Sequence, residues 1–268
     1  MSAAFEAATR VFREGEGGRF RATIERGWDI AGNANGGYLL ALAARAMSEV
    51  TDRPPLSVTA HFLSPGRVGE CEIDVTVLRG GRRTATASAV VTQADRGLIA
   101  LVGTFGEQHA GGVELVLGSP PELPEFDDCL RTVPPAEGSG FGERVHVRIR
   151  PGDIGFRDGR PSGVPEVCGW FTFDDVAFDE QQIDVFGLLQ ATDAFAPVCF
   201  NVPGVPVAWA PTLELTVHVR GTPAPGPLRC RFSSRFLQDS MFEEDGEVYD
   251  GTGRLVAQSR QLALIPRG

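Results

Sequence analysis

The sequence predicts an α+β fold made of two similar units in tandem, each a buried helix wrapped by an antiparallel sheet, with all strands joined into one continuous sheet. Three observations indicate this architecture. Segments with alternating apolar residues dominate, only two apolar segments have helical length, and one helix followed by four or five strands occurs twice. The 268 residues, of which 42% are hydrophobic, are enough to bury a large core.

Alternation with a period of two identifies the strands. Apolar residues recur at every second position in Phe20–Ile24, Val58–Phe62, Ile73–Val77 and Leu213–Val217. Successive side chains of a strand point to opposite faces, so each segment has one apolar face that must be covered. A further strand is predicted near Val145–Ile149, in a proline- and glycine-rich stretch that is typical of a crossover connection.

Two helices are expected between the strands. The first covers about Gly36–Val50 and is apolar almost all round until Arg45, which predicts a buried helix. The second is predicted over about Glu180–Cys199 and is also largely apolar. The longest uncharged stretch, Ala194–Leu213, contains four prolines, so we expect no insertion into a membrane.

The two units align with each other at a single offset. A shift of 157 residues places Thr59 on Thr216 and also overlays residues of the two helices and of the last strands. We interpret this as an internal duplication, with an N-terminal unit at residues 1–111, a crossover linker at 112–157 and a C-terminal unit at 158–268 that carries the catalytic residues.

The charge distribution excludes several kinds of partner. The formal net charge is −10, and all 25 basic residues are arginine. Nucleic-acid binding needs a basic face, so we expect no nucleic-acid partner, and the same balance argues against a polybasic membrane anchor. The N-terminus has no apolar signal core. The cysteines are widely spaced and their number, five, is odd, which argues against a disulfide scaffold. We therefore expect a cytoplasmic protein.

The motifs of common cofactors and nucleophiles are absent from the sequence. There is no G-x-S-x-G, H-E-x-x-H, P-loop or G-x-G-x-x-G pattern, and neither the cysteines nor the histidines have the spacing of metal ligands. We therefore expect neither a metal nor a cofactor. His61 and His218 occupy equivalent positions in the two units, which favours a structural role over a catalytic one.

A duplicated fold needs only one active site, so positions at which the units differ are candidates for catalysis. At the 157-residue shift, three positions of the second unit carry a side chain better suited to acid–base chemistry or hydrogen bonding than the residue of the first unit. They are Asp193 in place of Gly36, Thr212 in place of Pro55 and Gln261 in place of Thr104. Asp193 interrupts an apolar helical segment, so it is either a buried carboxylate or an exposed helical one. A buried carboxylate has a raised pKa and suits a general base near neutral pH.

Gly36 and Gly37 open the first helix and are candidates for an anion site. Backbone N–H groups at a helix N-terminus can stabilise an oxyanion, and glycine lets a ligand approach them closely. A glycine-rich turn into a closely packed helix explains the same pair equally well, so both interpretations stay open.

Six segments, in this order, resemble the type II acyl-CoA thioesterases of the thioesterase-like superfamily, which have a double hotdog fold. They are ANGGYLLALAARA, SVTAHFLSPG, IDVTVLRGGRRTATASAVV, LLQATDAF, PTLELTVHVR and GRLVAQSRQLALI. The resemblance covers nearly the whole chain and is weakest in 107–165. It implies an acyl-CoA thioester hydrolase of lipid metabolism.

The resemblance also implies the catalytic residues. In that family a carboxylate on the second helix, a threonine on the following strand and a glutamine on the last strand hold the hydrolytic water. Asp193, Thr212 and Gln261 match these three positions. The family's histidine and tryptophan after the threonine strand are replaced here by Thr216–Val219.

The implied substrate, acyl-CoA, sets further expectations. Its acyl chain needs an apolar tunnel, for which Phe62, Phe186 and Phe195 are candidates. Its phosphates need arginine, for which Arg82 and Arg83 are candidates. Double hotdog proteins often pair further, so a homo-oligomer is also an expectation.

Two alternatives remain open on the same fold. Enoyl-CoA hydratases and dehydratases need an aspartate and a histidine close together at the head of the hotdog helix, and the segment Trp28–Tyr38 has Asp29 but no histidine. The other alternative is a double hotdog protein that binds acyl-CoA or lipid without turnover. The presence of Asp193, Thr212 and Gln261 together favours hydrolysis over both.

Overall fold

The computed structural model describes residues 2–108, 111, 113, 115–131, 140–174 and 182–267. These residues form one antiparallel sheet of fourteen strands, a separate two-stranded sheet and a few helices. The strands of the first half are β1 (Val11–Arg13), β2 (Arg19–Ile24), β3 (Asp29–Ile30), β4 (Asn33–Ala34), β5 (Pro55–Phe62), β6 (Gly69–Gly80), β7 (Thr84–Gln93) and β8 (Arg96–Gly106). Those of the second half are β9 (Leu130–Arg131), β10 (Val145–Ile149), β11 (Glu166–Phe173), β12 (Thr212–Val219), β13 (Leu228–Ser233), β14 (Leu237–Gln238), β15 (Met241–Tyr249) and β16 (Leu255–Leu264).

The helices lie between these strands. The α-helices are α1 (Ala3–Ala8), α2 (Gly36–Thr51), α3 (Phe141–Arg144) and α4 (Val185–Ala191). Short 3₁₀ helices cover Phe126–Asp128, Pro151–Asp153, Gly155–Asp158 and Val198–Asn201. Within the described ranges, no helix is both long enough and apolar enough to cross a membrane.

The large sheet is nearly symmetric about its centre. Its strand order is β1-β2-β6-β7-β8-β5-β12-β16-β15-β13-β11-β10-β9, with β14 paired to β15. The central strands β5 and β12 are antiparallel, and their bounds differ by 157 residues at both ends. Thr59 and Thr216 lie opposite each other at this junction, with their hydroxyl oxygens 2.9 Å apart. The predicted α+β architecture with one continuous sheet is confirmed.

The helix α2 packs on the inner face of this sheet and forms the centre of the core. Ten of its sixteen residues are buried, most of them alanine or leucine, and small alanine side chains let the helix approach the strands closely. Its Arg45 donates to the hydroxyl of Thr9 and forms a 3.1 Å ion pair with Asp184, the N-cap of α4. The predicted first helix is confirmed, and this pair joins it to the second.

The predicted second helix was too long. The helix α4 covers only Val185–Ala191, and the chain leaves it through a turn that contains Asp193. Pro197 cannot donate a backbone hydrogen bond, and a 3₁₀ helix follows it instead of a continuation of α4. The predicted start, residues 180 and 181, lies outside the described residues.

The helices also depart from the offset that relates the strands. Asn35 caps α2 and Asp184 caps α4, each accepting from a backbone N–H three residues ahead, and these caps are 149 residues apart. The expectation that Asp193 takes the place of Gly36 is therefore wrong, because the connection between helix and strand differs in length between the two halves. The strand at Val145–Ile149 is found as predicted, and it extends the sheet beside β11.

Candidate active site

A cavity of about 800 Å³ lies between α2, the turn after α4 and the inner face of the second half of the sheet. Its wall is mostly apolar, with aromatic side chains that include Phe62, Phe195, Phe200, Phe232, Phe242 and Trp209. A smaller set of polar side chains shares this wall and includes Asn35, Asp193, Thr212, Glu244 and Gln261. A mainly apolar cavity with a few convergent polar groups is the usual form of a small-molecule site.

Asp193 is held against the N-terminus of α2. Its Oδ2 atom accepts a 2.9 Å hydrogen bond from the Gly37 backbone N–H and a 3.0 Å bond from Asn35 Nδ2. Glycine at position 36 is required for this approach, since a Cβ atom there would lie 2.8 Å from Asp193 Oδ2 and 2.8 Å from Phe62 Cε1. The carboxylate therefore faces the positive end of the helix dipole.

Asn35 connects the two halves of the chain at this point. Its Oδ1 atom accepts from the Tyr38 backbone N–H at 3.1 Å and from Gln190 Nε2 at 2.7 Å. Its Nδ2 atom donates to the backbone oxygen of Asp193 at 2.9 Å as well as to the carboxylate. Asn35 was missed from the sequence, where an asparagine before a Gly-Gly helix start signals only an N-cap.

The environment of Asp193 tunes its acidity in two opposing ways. Burial raises the pKa of this carboxyl to about 6, while the hydrogen bonds from Gly37, Gly36 and Asn35 favour the ionised form and limit the rise in its pKa. A carboxylate with a pKa near 6 is largely ionised at neutral pH and is still a useful proton acceptor.

Thr212, Gln261 and Glu244 form a hydrogen-bonded chain on the same wall. The Thr212 hydroxyl donates to Gln261 Oε1 at 3.2 Å, and Gln261 Nε2 donates to Glu244 Oε1 at 3.0 Å. Glu244 Oε2 accepts from the Val198 backbone N–H at 2.9 Å. Burial, with a smaller contribution from the charge of Asp193, raises the pKa of Glu244 to about 8.

Glu244 was also missed from the sequence. In β15 the buried positions alternate, and Glu244 shares the inner face with Phe242, Gly246 and Val248. Only 6% of Glu244 is exposed. A charged residue at an inward-facing position of an alternating strand was the signal that could have identified it, because a buried carboxylate needs partners.

The structure places two of the three candidate phenylalanines in the cavity, as expected, and the third elsewhere. Phe62 and Phe195 line the cavity, but Phe186 does not, since its ring packs under the Arg45 guanidinium at 4.2 Å on the other side of α4. Arg82 and Arg83 are exposed at the turn between β6 and β7 and do not line the cavity. The arginines that do line it are Arg131 and Arg157, which the sequence did not single out.

Gly36 and Gly37 have a different role from the one expected. Their N–H groups stabilise the Asp193 carboxylate, so in this structure they are not free to stabilise an oxyanion. The turn after α4 brings an anionic side chain of the protein itself to the N-terminus of α2.

One cluster has the residue types of a metal site. Asp153, Glu166 and Cys168 each offer a ligand atom within 4.8 Å of the others. The Arg150 guanidinium lies among them and pairs with Asp153 at 3.0 Å and with Glu166 at 2.9 Å. The guanidinium neutralises the two carboxylates, so the cluster is explained as an ion-pair network.

Two family models match most of the chain. The acyl-CoA thioesterase N-terminal domain matches residues 24–106, and the acyl-CoA thioesterase C-terminal domain matches residues 120–265. An uncharacterized protein of Mycobacterium tuberculosis is 31% identical over 274 residues, which covers 92% of this chain and 91% of that protein.

Solved structures agree with this assignment. A candidate thioesterase II from Thermobifida fusca is 32% identical, with a TM-score of 0.87 over 98% of this chain and 97% of that one. A hot dog protein of unknown function from Alicyclobacillus acidocaldarius is 22% identical, with a TM-score of 0.81 over 100% of both chains, and shows the fold alone. The double hotdog expectation is thereby confirmed, and the chain belongs to the family of type II acyl-CoA thioesterases.

Proposed function

We propose that this protein hydrolyses acyl-CoA to a free acid and CoA, with Asp193 as the general base and with Thr212 and Gln261 as the groups that hold the attacking water. The observation that carries the proposal is the convergence of these three side chains on one cavity, with a carboxyl whose pKa is about 6. Family membership supports thioester hydrolysis in general, and the assignment of these roles is our inference.

The reaction needs no covalent nucleophile, because a thioester carbonyl is electrophilic and a thiolate is a good leaving group. The water oxygen forms a bond to the carbonyl carbon while one of its protons passes to the Asp193 carboxylate. The tetrahedral intermediate then collapses, the C–S bond breaks, and the thiolate takes the proton from Asp193. One water and one thioester give one acid and one thiol, and the carboxylate is restored.

The two ends of the substrate differ in what they require. The acyl chain fits the apolar wall, where Phe62, Phe195 and Phe232 exclude water from the reacting carbonyl. We assign the anionic CoA portion to Arg131 and Arg157, because they line the cavity and Arg82 and Arg83 do not. With a net charge of −10, the protein as a whole repels this anion, so local arginines are needed.

The proposal extends to the wider role of the protein. We place it in lipid metabolism in the cytoplasm, acting as a homo-oligomer. We also retain the division into an N-terminal unit at 1–111, a linker at 112–157 and a catalytic unit at 158–268. The contact of Asn35 with Asp193 means that the catalytic unit needs the N-terminal unit for its site.

Thiol release tests the function directly. The purified protein is incubated with acetyl-, octanoyl-, palmitoyl- and phenylacetyl-CoA, and free CoA is measured with a chromogenic disulfide reagent. Release of CoA from at least one saturated substrate supports the proposal. Hydration of an enoyl-CoA without thiol release would assign the protein to the hydratases, and tight binding with neither reaction would make it a binding protein.

A further inference from the structure

The buried carboxylate of Glu244 lies in the cavity wall and has no part in the reaction as proposed above. Burial of a carboxylate is unfavourable, and an apolar side chain at an inward-facing strand position would stabilise the fold at least as well. Its environment therefore calls for a specific explanation beyond packing.

The contacts of Glu244 define a direction along the hydrogen-bonded chain. Both of its oxygens accept from N–H groups, Oε1 from Gln261 and Oε2 from the Val198 backbone. Because Glu244 accepts at this end, Gln261 must turn its Nε2 atom toward the carboxylate and its Oε1 atom toward Thr212. The Thr212 hydroxyl then donates to Gln261, as the structure shows at 3.2 Å.

This direction matters because a glutamine amide can turn over by half a rotation with little change in shape. In the turned state Gln261 would present its oxygen to Glu244 and its nitrogen to Thr212, and the groups left facing the cavity would exchange their donor and acceptor character. The ionised Glu244 carboxylate only accepts and so prevents that exchange, whereas the protonated form carries an O–H that can donate to the turned amide. The Val198 N–H in turn holds the Glu244 carboxylate in place.

We propose that the ionised Glu244 is a positioning residue that fixes the orientation of the Gln261 amide, so that a Gln261 N–H and the Thr212 oxygen lone pairs face the attacking water. The inference rests on the proposed thioester hydrolysis and assigns Glu244 a role in it through Gln261. Glu244 itself touches neither the water nor the substrate in this assignment.

The principal test is the substitution Glu244→Gln, which keeps the size of the side chain but replaces one acceptor oxygen with a donor. The new amide can no longer accept from both Val198 and Gln261, and the bond to Gln261 is satisfied best when that amide turns over. The assay is run at pH 9, where the wild-type Glu244 carboxyl is ionised because its pKa is about 8. With the fastest acyl-CoA of the panel, we expect kcat to fall roughly ten- to hundredfold and KM to stay within about twofold. The melting temperature is measured in parallel.

Two further variants separate positioning from a general effect of lost charge. Glu243→Gln is the matched control, because Glu243 is the next residue of β15 and binds the backbone N–H groups of Arg235 and Phe236 instead of Gln261. Its kcat should stay near the wild-type value. In a Gln261→Ala background, Glu244→Gln should lower kcat by less than about twofold, since the group through which it acts is gone.

The contradicting outcomes are specific. A Glu244→Gln variant with wild-type kcat, or one whose loss is fully retained in the Gln261→Ala background, would overturn the proposal. If Glu244→Gln does not fold, the double variant E244Q/Q261E is measured instead. It again pairs an amide N–H, now at position 244, with a carboxylate, now at position 261, and its melting temperature should exceed that of both single variants. Absence of that recovery overturns the proposal. Failure of the proposed function is distinct, because the wild type would then release no thiol.

Discussion

Asn35 and Asp193, 158 residues apart in the chain, are joined by two hydrogen bonds from one amide nitrogen. Asn35 Nδ2 donates to the Asp193 backbone oxygen at 2.9 Å and to its Oδ2 atom at 3.0 Å. The same side chain caps α2 through its oxygen. Asn35 therefore sets both the start of α2 and the position of the candidate base, Asp193.

Replacement of Asp193 by asparagine should abolish most hydrolysis while the protein stays folded. General-base catalysis is typically worth about 10²–10⁴ in rate, and kcat should fall within that range. Thiol release gives the rate, and circular dichroism with thermal unfolding reports the fold. Asp29→Asn is the matched control, because Asp29 also accepts a backbone hydrogen bond but does not line the cavity. Wild-type turnover by Asp193→Asn would contradict the assignment of the base.

The pH–rate profile should report the ionisation of Asp193. The ionised carboxylate is the base, and its pKa is about 6, so kcat/KM should rise tenfold per pH unit below that value. The Asn35→Ser variant keeps an oxygen for the N-cap but lacks the Nδ2 donor that stabilises the carboxylate. In this variant the pKa of Asp193 should rise, and the rising limb of the pH–rate profile should move to higher pH. An unshifted limb would show that Asn35 does not tune the base.

The stability of the protein should fall as the pH rises. Glu244 has a pKa of about 8 in the folded protein against an ordinary value of 4.5, so the folded state holds its proton more tightly than the unfolded state does. The stability that this proton contributes is complete below pH 4.5 and is lost as the pH rises through about 8. Chemical unfolding at pH 5, 7 and 9 should give a flatter pH dependence for Glu244→Gln than for the wild type. Parallel curves would contradict the raised pKa.

Substitution of Gly36 by alanine should displace the candidate base. The new Cβ atom would lie 2.8 Å from both Asp193 Oδ2 and Phe62 Cε1, so both groups have to move. Alanine is favourable at a helix start, and misplacement of a catalytic group by about 1 Å can reduce the rate by about 10²-fold. We expect kcat to fall by that order with little change in melting temperature. Gly152→Ala, where a Cβ atom meets nothing within 4 Å, serves as the control.

Several regular elements followed from local patterns, whereas the end of the second predicted helix did not. The strand over Leu213–Val217 and the helix from Gly36 were predictable because period two and a long apolar run each match one structure. The second apolar run contained the same signal, but the chain turns at Asp193 to bring its carboxylate to α2. That turn is set by a partner from the other half of the chain.

The sequence by itself determined alternating strands such as Leu213–Val217 and the helix from Gly36, because these depend on neighbours in the chain. Differences between the two duplicated units and the resemblance to a family pointed to Asp193, Thr212 and Gln261. Only the tertiary structure decided that Asn35 and Glu244 belong to the same cavity and that Phe186 does not. Hydrogen bonds between residues such as Asn35 and Asp193 depend on how the two halves pack, and no local pattern encodes that packing.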